Sequence, residues 1–543
     1  MLKTMLYRLA ARIVPHSWLN RFAINRLVNA GRNRPHPWST RHDDYIAWPG
    51  LTDRTWFARL LPASPAPSGS GVGTAQPPVA DLVALFPAPL GRQVPCPKST
   101  CLFPAFAQYL TDGFLRTRLF NTPPGAHTRP GIEDRRRTTS NHEIDLSALY
   151  GRTDEQTAAL RTMAGGLMKS QSFGGEVFPP FLYGEDGLPK AEFCDASGTL
   201  VLDEPLGVKP GTPGRRTIFA AGGDRVNASM QVAAINTLFL REHNRVAGVL
   251  ERENPNWDDE RIFQIARNIL IVMFLRIVIH EYINHIAGAP FRFKADPAVC
   301  WNQDWNRTNW MTIEFTLLYR WHSLIPEEMT WDGAAVPSAA LLLDNSLLLA
   351  GGLGHALEQL SGNTAARMGL GNFASFFAAG GADSAEGKGL QQGRASRVQG
   401  YNAYREAMGL SRAGSFEEVV GTSDDPTEQA RRRSLADALG KLYGHVDNLE
   451  FYPGLFAEPC LEASPIGELV LAMVAMDAFS QALPNPLLSR HVWGDAENRI
   501  AAFSGLGLAE IERTDSLADL LARNGHPAQA AAVGMTRREW KPK

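Results

Sequence analysis

The stretch that most limits how this chain can fold is Asp258 to Ala287. It holds the longest apolar run, Ile269-Leu-Ile-Val-Met-Phe-Leu-Arg-Ile-Val-Ile279. Asp258 can cap a helix with its carboxylate, and Asp259 and Glu260 put negative charge in the first turn, where the helix dipole favours it. The apolar run covers about half of the ~20 residues needed to cross a bilayer and carries Arg276 near its middle. The pattern therefore predicts a long buried helix over 258–287. A chain of 543 residues can bury it in one large core or two medium ones.

Charge excludes one class of partner. The 54 basic and 56 acidic residues nearly balance, so no nucleic-acid partner is expected. The five cysteines (Cys96, Cys101, Cys194, Cys300, Cys460) are odd in number and scattered, which points to a reducing compartment, and no Cys-x-x-Cys zinc pattern occurs. Residues 1–34 space Leu2, Leu6, Leu9, Ile13, Trp18, Phe22 and Leu27 at near-helical intervals among basic residues. Such a cationic amphipathic segment either lies on a membrane surface or docks on its own domain. Lys3, Arg8 and Arg12 interrupt any signal-peptide core, so the expected location is cytoplasmic, with peripheral membrane contact through residues 1–34 left open and no transmembrane span. Residues 62–79 are rich in Pro, Gly and Ser and read as a linker; 122–137 and 379–394 read as loops of similar composition.

Two short patterns carry chemistry. In Ile313-Glu-Phe-Thr-Leu-Leu-Tyr-Arg-Trp-His-Ser-Leu-Ile-Pro326, Tyr319 and His322 are three apart. On a helix ended by Pro326 they share one face, and the apolar run-up buries the imidazole. A buried histidine is either a satisfied core residue or a ligand whose second nitrogen is oriented by an acceptor. Gln108 and Asp112, four apart in a helical pattern over 105–116, also share a face.

The string Glu314 to Pro326 resembles the radical-tyrosine and proximal-histidine segment of the cyclooxygenases, which belong with the fatty-acid dioxygenases to the animal-type haem peroxidases. Ala233-Ala-Ile-Asn-Thr-Leu-Phe-Leu-Arg-Glu-His-Asn-Arg-Val-Ala247 is similar to that family's signature helix, and matches in a consistent order run over roughly residues 20–495. The resemblance implies a mainly α protein: a large single helical catalytic domain over 83–495 with little β structure. An N-terminal helical segment (1–34), a connector (35–82) and a tail (496–543) flank it. It implies a b-type haem on His322, a radical at Tyr319, Tyr282 as its hydrogen-bond partner, Tyr452 behind the histidine and Trp321 beside both.

On the distal side it implies Gln108, with Asp112 standing where the family has histidine. Arg225 matches the distal arginine of the myeloperoxidase and peroxinectin branch, which cyclooxygenases lack. His142 is placed near a haem propionate or in a structural role, Phe479 and Ser480 on the channel wall, and Arg32 as the anchor of a fatty-acid carboxylate. Ala289 and Val474 replace the tyrosine and the acid that accompany that arginine in the family. His243, inside the signature helix, is read as structural.

The expectation is a haem-dependent dioxygenase that oxidises long-chain unsaturated fatty acids with dioxygen through a tyrosyl radical. A peroxide would initiate it, and general peroxidase turnover would be weak because Asp112 replaces the histidine. The alternatives are a haem peroxidase acting on small reductants, and a non-catalytic haem protein or peroxide sensor at a membrane surface.

Overall fold

The computed structural model describes residues 15–30, 38–64, 76–89, 92–117, 136–288 and 292–541. Ten helices position the site: α1 (His16–Ala30), α2 (Leu102–Asp112), α3 (Met230–Glu253), α4 (Asp259–Ile277), α5 (Ile313–Leu318), α6 (Ala385–Ala395), α7 (Phe451–Ala457), α8 (Glu468–Ala482), α9 (Ala496–Glu512) and α10 (Leu517–Arg523). Strands among the described residues form four two-stranded antiparallel sheets, so the fold is mainly α with little β, as expected.

The central element is the predicted long helix. Asp258 accepts the Arg261 amide at 2.8 Å and opens α4. Ile269, Leu270, Met273, Leu275 and Ile277 are fully buried against α3, α9 and their neighbours. Residues Asp259–Ala287 are long and apolar enough to cross a membrane, but most of that stretch is buried inside the protein. After Ile277 the helix widens into a π turn, Val278–Ile283, before closing at Asn284–Ala287. Such turns concentrate at functional positions because they re-aim side chains; this one carries Glu281 and Tyr282.

The segment from 496 onward, set apart in the sequence reading, is packed into this core over its described residues, 496–541. Arg276 donates to Thr514 O at 2.9 Å. Glu281 accepts the backbone amides of Leu517 (2.9 Å) and Met535 (3.3 Å). His285 bonds Thr536 Oγ1 at 2.7 Å and Ser99 Oγ at 2.8 Å. The start of α10 and the non-helical residues Thr514, Met535 and Thr536 thus brace the π turn.

Of the N-terminal segment, residues 1–14 and 31–37 lie outside the described residues. Helix α1 docks on its own domain: Asn20 exchanges hydrogen bonds with the Lys294 backbone, and Asn25 accepts from Trp305 Nε1 at 3.0 Å. Trp18 and Phe22 stack on its exposed side. Parts of the predicted linker and loop, 65–75 and 122–135, also fall outside the described residues. The third, 379–394, is not a loop. Ser384 Oγ caps the Gly387 amide at 3.1 Å and starts α6, a helix hidden in the sequence by its glycines.

His243 is indeed structural. Its ring lies between Tyr150 (Nδ1 to the hydroxyl, 2.9 Å) and Gly166 O (Nε2, 2.9 Å), and burial holds its pKa down at about 4. A histidine kept neutral in the fold contributes on the order of 3 kcal/mol above pH 6.5, lost as pH falls through about 4. His243→Gln is therefore expected to lower the melting temperature more at pH 7 than at pH 4.5, a difference read from thermal melts at the two values.

Candidate active site

The predicted pair does not share a helix. Helix α5, capped by Thr312 through the Phe315 amide at 3.2 Å, ends at Leu318. Tyr319 (φ −91°, ψ 20°) and Trp321 (φ −84°, ψ 41°) leave helical geometry, and His322 begins a 3₁₀ turn. Tertiary contacts override the local pattern: Arg320 is held by Gln392 Oε1 at 2.6 Å, and Trp321 is drawn into an aromatic stack. Nor is His322 buried as expected, since its side chain is 30% exposed. Tyr319 is also only half-buried, although Leu317, Leu318, Ser323 and Leu324 around the pair are fully buried. The fold covers the neighbours and leaves these two rings partly uncovered.

His322 Nδ1 lies 2.5 Å from Glu386 Oε1, and Glu386 Oε2 accepts the Tyr452 hydroxyl at 2.6 Å. Phe377 stacks flat on the imidazole, 4.3 Å between centroids. An ionised carboxylate only accepts, so Nδ1 carries the proton and Nε2 keeps its lone pair. Nε2 makes no hydrogen bond among the described residues. Tyr452 therefore sits behind the histidine, joined to it through Glu386.

Tyr319 stacks on Trp321 at 4.6 Å and against Phe315 at 4.5 Å. Trp321 in turn faces Tyr282 (6.3 Å) and Phe103 of α2 (5.7 Å). Burial pushes the Tyr319 phenol above its ordinary pKa; the Tyr282 hydroxyl opposes that rise and Asp477 of α8 adds to it. Tyr282, wholly buried on the π turn, is raised by burial and by Tyr319. Its hydroxyl is near enough to Tyr319 for each to alter the other's ionisation, without the geometry of a regular hydrogen bond.

At the other end of α2 stands Asp112, about 14 Å along the helix axis from Phe103. It is buried, and neither carboxylate oxygen has a hydrogen bond of regular geometry. Arg116 Nε lies 3.5 Å away and Arg225 Nη1 3.9 Å away, while Arg225 pairs more closely with Asp224 at 3.1 Å. Arg116 also binds Asp203 (2.5 Å) and Gly222 O (3.0 Å). Burial raises the Asp112 carboxyl, the two arginines lower it, Asp224 raises it, and the outcome is about 6. Asp224 is raised by burial, but Arg225 at 3.1 Å and Arg116 at 3.5 Å outweigh that and hold it below the usual carboxylate range. A Cβ at Gly223 would fall 2.1 Å from Asp112 Oδ2, so glycine is what admits the carboxylate here. Gln108, one turn before Asp112, and Arg225 are both partly accessible.

His142 takes the structural role, and the propionate contact is corrected. Its Nδ1 accepts the Met311 amide at 3.0 Å and its Nε2 donates to Arg54 O at 2.5 Å, leaving no nitrogen for a propionate. Ser480 sits inside α8, with its hydroxyl turned back on Met476 O at 2.8 Å. Phe479 is fully buried against Phe293. Arg32 and Ala289 lie outside the described residues. The sequence reading missed Glu386, Asp224, Arg116 and Asp477. Only Asp224 had a visible signal, as the neighbour of Arg225.

A histidine protonated on Nδ1 with a free lone pair on Nε2 is suited to ligate a haem iron, and a buried acid beside arginines is suited to handle a proton. The comparisons agree: residues 113–533 match the profile of the animal haem peroxidases, and the chain belongs to that family. It is a haem-dependent oxidoreductase by that membership. Prostaglandin G/H synthase 1 of Rattus norvegicus is 30% identical over 494 residues, covering 90% of this chain and 74% of the relative. Prostaglandin G/H synthase 2 of Equus caballus is 31% identical over 497 residues, with the same coverage. Among solved structures, the fatty acid alpha-dioxygenase of Oryza sativa superimposes with a TM-score of 0.69 at 15% identity, over 97% of this chain and 94% of that one. Peroxidase A of Dictyostelium discoideum gives 0.64 at 20% identity, over 89% and 96%.

Proposed function

We propose that this chain is a dioxygenase that inserts dioxygen into long-chain fatty acids by way of a Tyr319 radical, with a weak peroxidase activity that starts it. The observation that carries the reading is the setting of Tyr319. It is a half-covered phenol stacked on Trp321, coupled to the buried Tyr282 and three residues from the histidine whose Nε2 is free. The named activities of the prostaglandin synthase relatives and of the alpha-dioxygenase neighbours support the same class.

His322 would hold a b-type haem, since the sequence has no Cys-x-x-Cys-His attachment motif. The bound group supplies peroxide-dependent oxidising power that side chains lack. Arg225 offers a positive charge to the peroxide, and Asp112 takes and returns its proton, a role that asks for reach and a suitable pKa more than for imidazole. Tyr319, once it has given up an electron and its phenolic proton, removes a hydrogen atom from a substrate carbon. Dioxygen adds to that carbon, and a hydrogen atom returned to the peroxyl group yields the hydroperoxide. Tyr282 and Trp321 fix the phenol for that exchange. Phe479 on α8 is proposed as channel wall and Arg32 as carboxylate anchor.

A peroxidase acting on small reductants is the second reading, favoured by Arg225 beside Asp112. Oxygen uptake decides between them. Haem-loaded protein given linoleate or palmitate and a trace of hydroperoxide is expected to consume oxygen; guaiacol oxidation with no uptake on either fatty acid would overturn the dioxygenase reading.

A further inference from the structure

The proximal side holds a device that no sequence pattern announced. We infer that Glu386 is a positioning residue that sets the electron-donating strength of His322, and that Tyr452 moderates it. The inference rests on the reading of His322 as the iron ligand and goes beyond it, to what tunes that ligand.

The geometry is built on three elements. Helix α6 presents Glu386 in its first turn, wholly buried, with one oxygen on His322 Nδ1 at 2.5 Å and the other on the Tyr452 hydroxyl of α7 at 2.6 Å. The approach of Tyr452 depends on Gly389, where a Cβ would stand 3.0 Å from Tyr452 Cζ and 3.2 Å from its hydroxyl oxygen. Phe377 fixes the plane of the imidazole. Arg320 reaches the Ala385 carbonyl and Gln392.

A carboxylate that accepts Nδ1–H shares its negative charge with the ring, and the opposite nitrogen becomes a stronger donor. A neutral acceptor would orient the ring equally well without that push. The phenol works the other way: by donating to the second oxygen it withdraws part of the charge from the first. Glu386 and Tyr452 thus act on the ligand with opposite signs, which a purely structural role does not predict.

The test uses the full chain loaded with haem, two variants and two readouts besides turnover: the iron–histidine stretching band of the reduced protein and the Fe(III)/Fe(II) midpoint potential. Glu386→Gln, which keeps an acceptor of the same shape, is expected to lower the band frequency and move the midpoint positive. Tyr452→Phe keeps the ring packed on Phe86 and Phe456; it is expected to move both readouts the opposite way and by less. Haem-bound variants that leave both readouts unchanged, or that shift them in the same direction, overturn the inference. His322→Ala separates the two levels. If it abolishes the band, the ligand reading stands whatever Glu386 does. A band that persists in it, or a wild type that binds no haem, removes the ligand reading and this inference together.

Discussion

In haem-loaded protein, Tyr319→Phe is expected to reduce fatty-acid-driven oxygen uptake by more than about 100-fold, with guaiacol oxidation within about threefold of wild type. The substitution removes one oxygen atom and little else. Phenylalanine keeps the stacks on Trp321 and Phe315, so the aromatic cluster and the neighbouring histidine keep their supports. What disappears is the O–H that must be lost and regained for a substrate hydrogen to move. An oxygen electrode with linoleate and a hydroperoxide initiator measures the first quantity, and absorbance of oxidised guaiacol the second. Equal uptake by both proteins would make the phenol structural, and the proposed function would fall with it.

The second large effect lies at Asp112. Its carboxyl, lifted to about 6, works as a base only when ionised, so peroxide turnover in the wild type should climb as pH rises through about 6. Asp112→Asn is expected to flatten that limb and lower turnover by about 100-fold, whereas Asp112→His should raise it above wild type. Stability should move in the reverse sense. The folded state binds this proton more tightly than the unfolded one does, so the contribution is complete below about pH 4 and is lost as pH rises through about 6. Asn cannot ionise, so the variant should gain melting temperature relative to wild type as pH goes from 4 to 8. A histidine variant with no gain in guaiacol oxidation, or an unchanged pH limb in the Asn variant, would exclude Asp112 from proton transfer.

How much of this was legible in the sequence follows from the range of the interactions. The buried helix at 258–287 was readable because its cap, charges and apolar run are all local. Its π turn was not, because it depends on side chains and amides hundreds of residues away. Spacing put Tyr319 and His322 close together but on the wrong scaffold: their proximity comes from a helix that ends and a 3₁₀ turn that begins. Asp112 and Arg225 could each be found by resemblance, but not the balance of burial against arginine on the acid. Only the fold shows that burial prevails, aided by Asp224. Glu386 was invisible. Glycine-rich surroundings made its helix look like a loop, and the histidine it serves lies 64 residues earlier.

The clasp on the π turn also bears on the order in which the protein is made. Glu281, next to Tyr282, takes its backbone donors from positions 236 and 254 residues farther along the chain. A ribosome that has delivered Tyr319, His322, Asp112 and Arg225 has not yet delivered Leu517 or Met535. The groups proposed for oxidative chemistry therefore emerge well before the contacts that hold the turn carrying Tyr282. A nascent chain that ends between Arg320 and Leu517 holds both phenols while the turn that carries one of them still lacks its clasp.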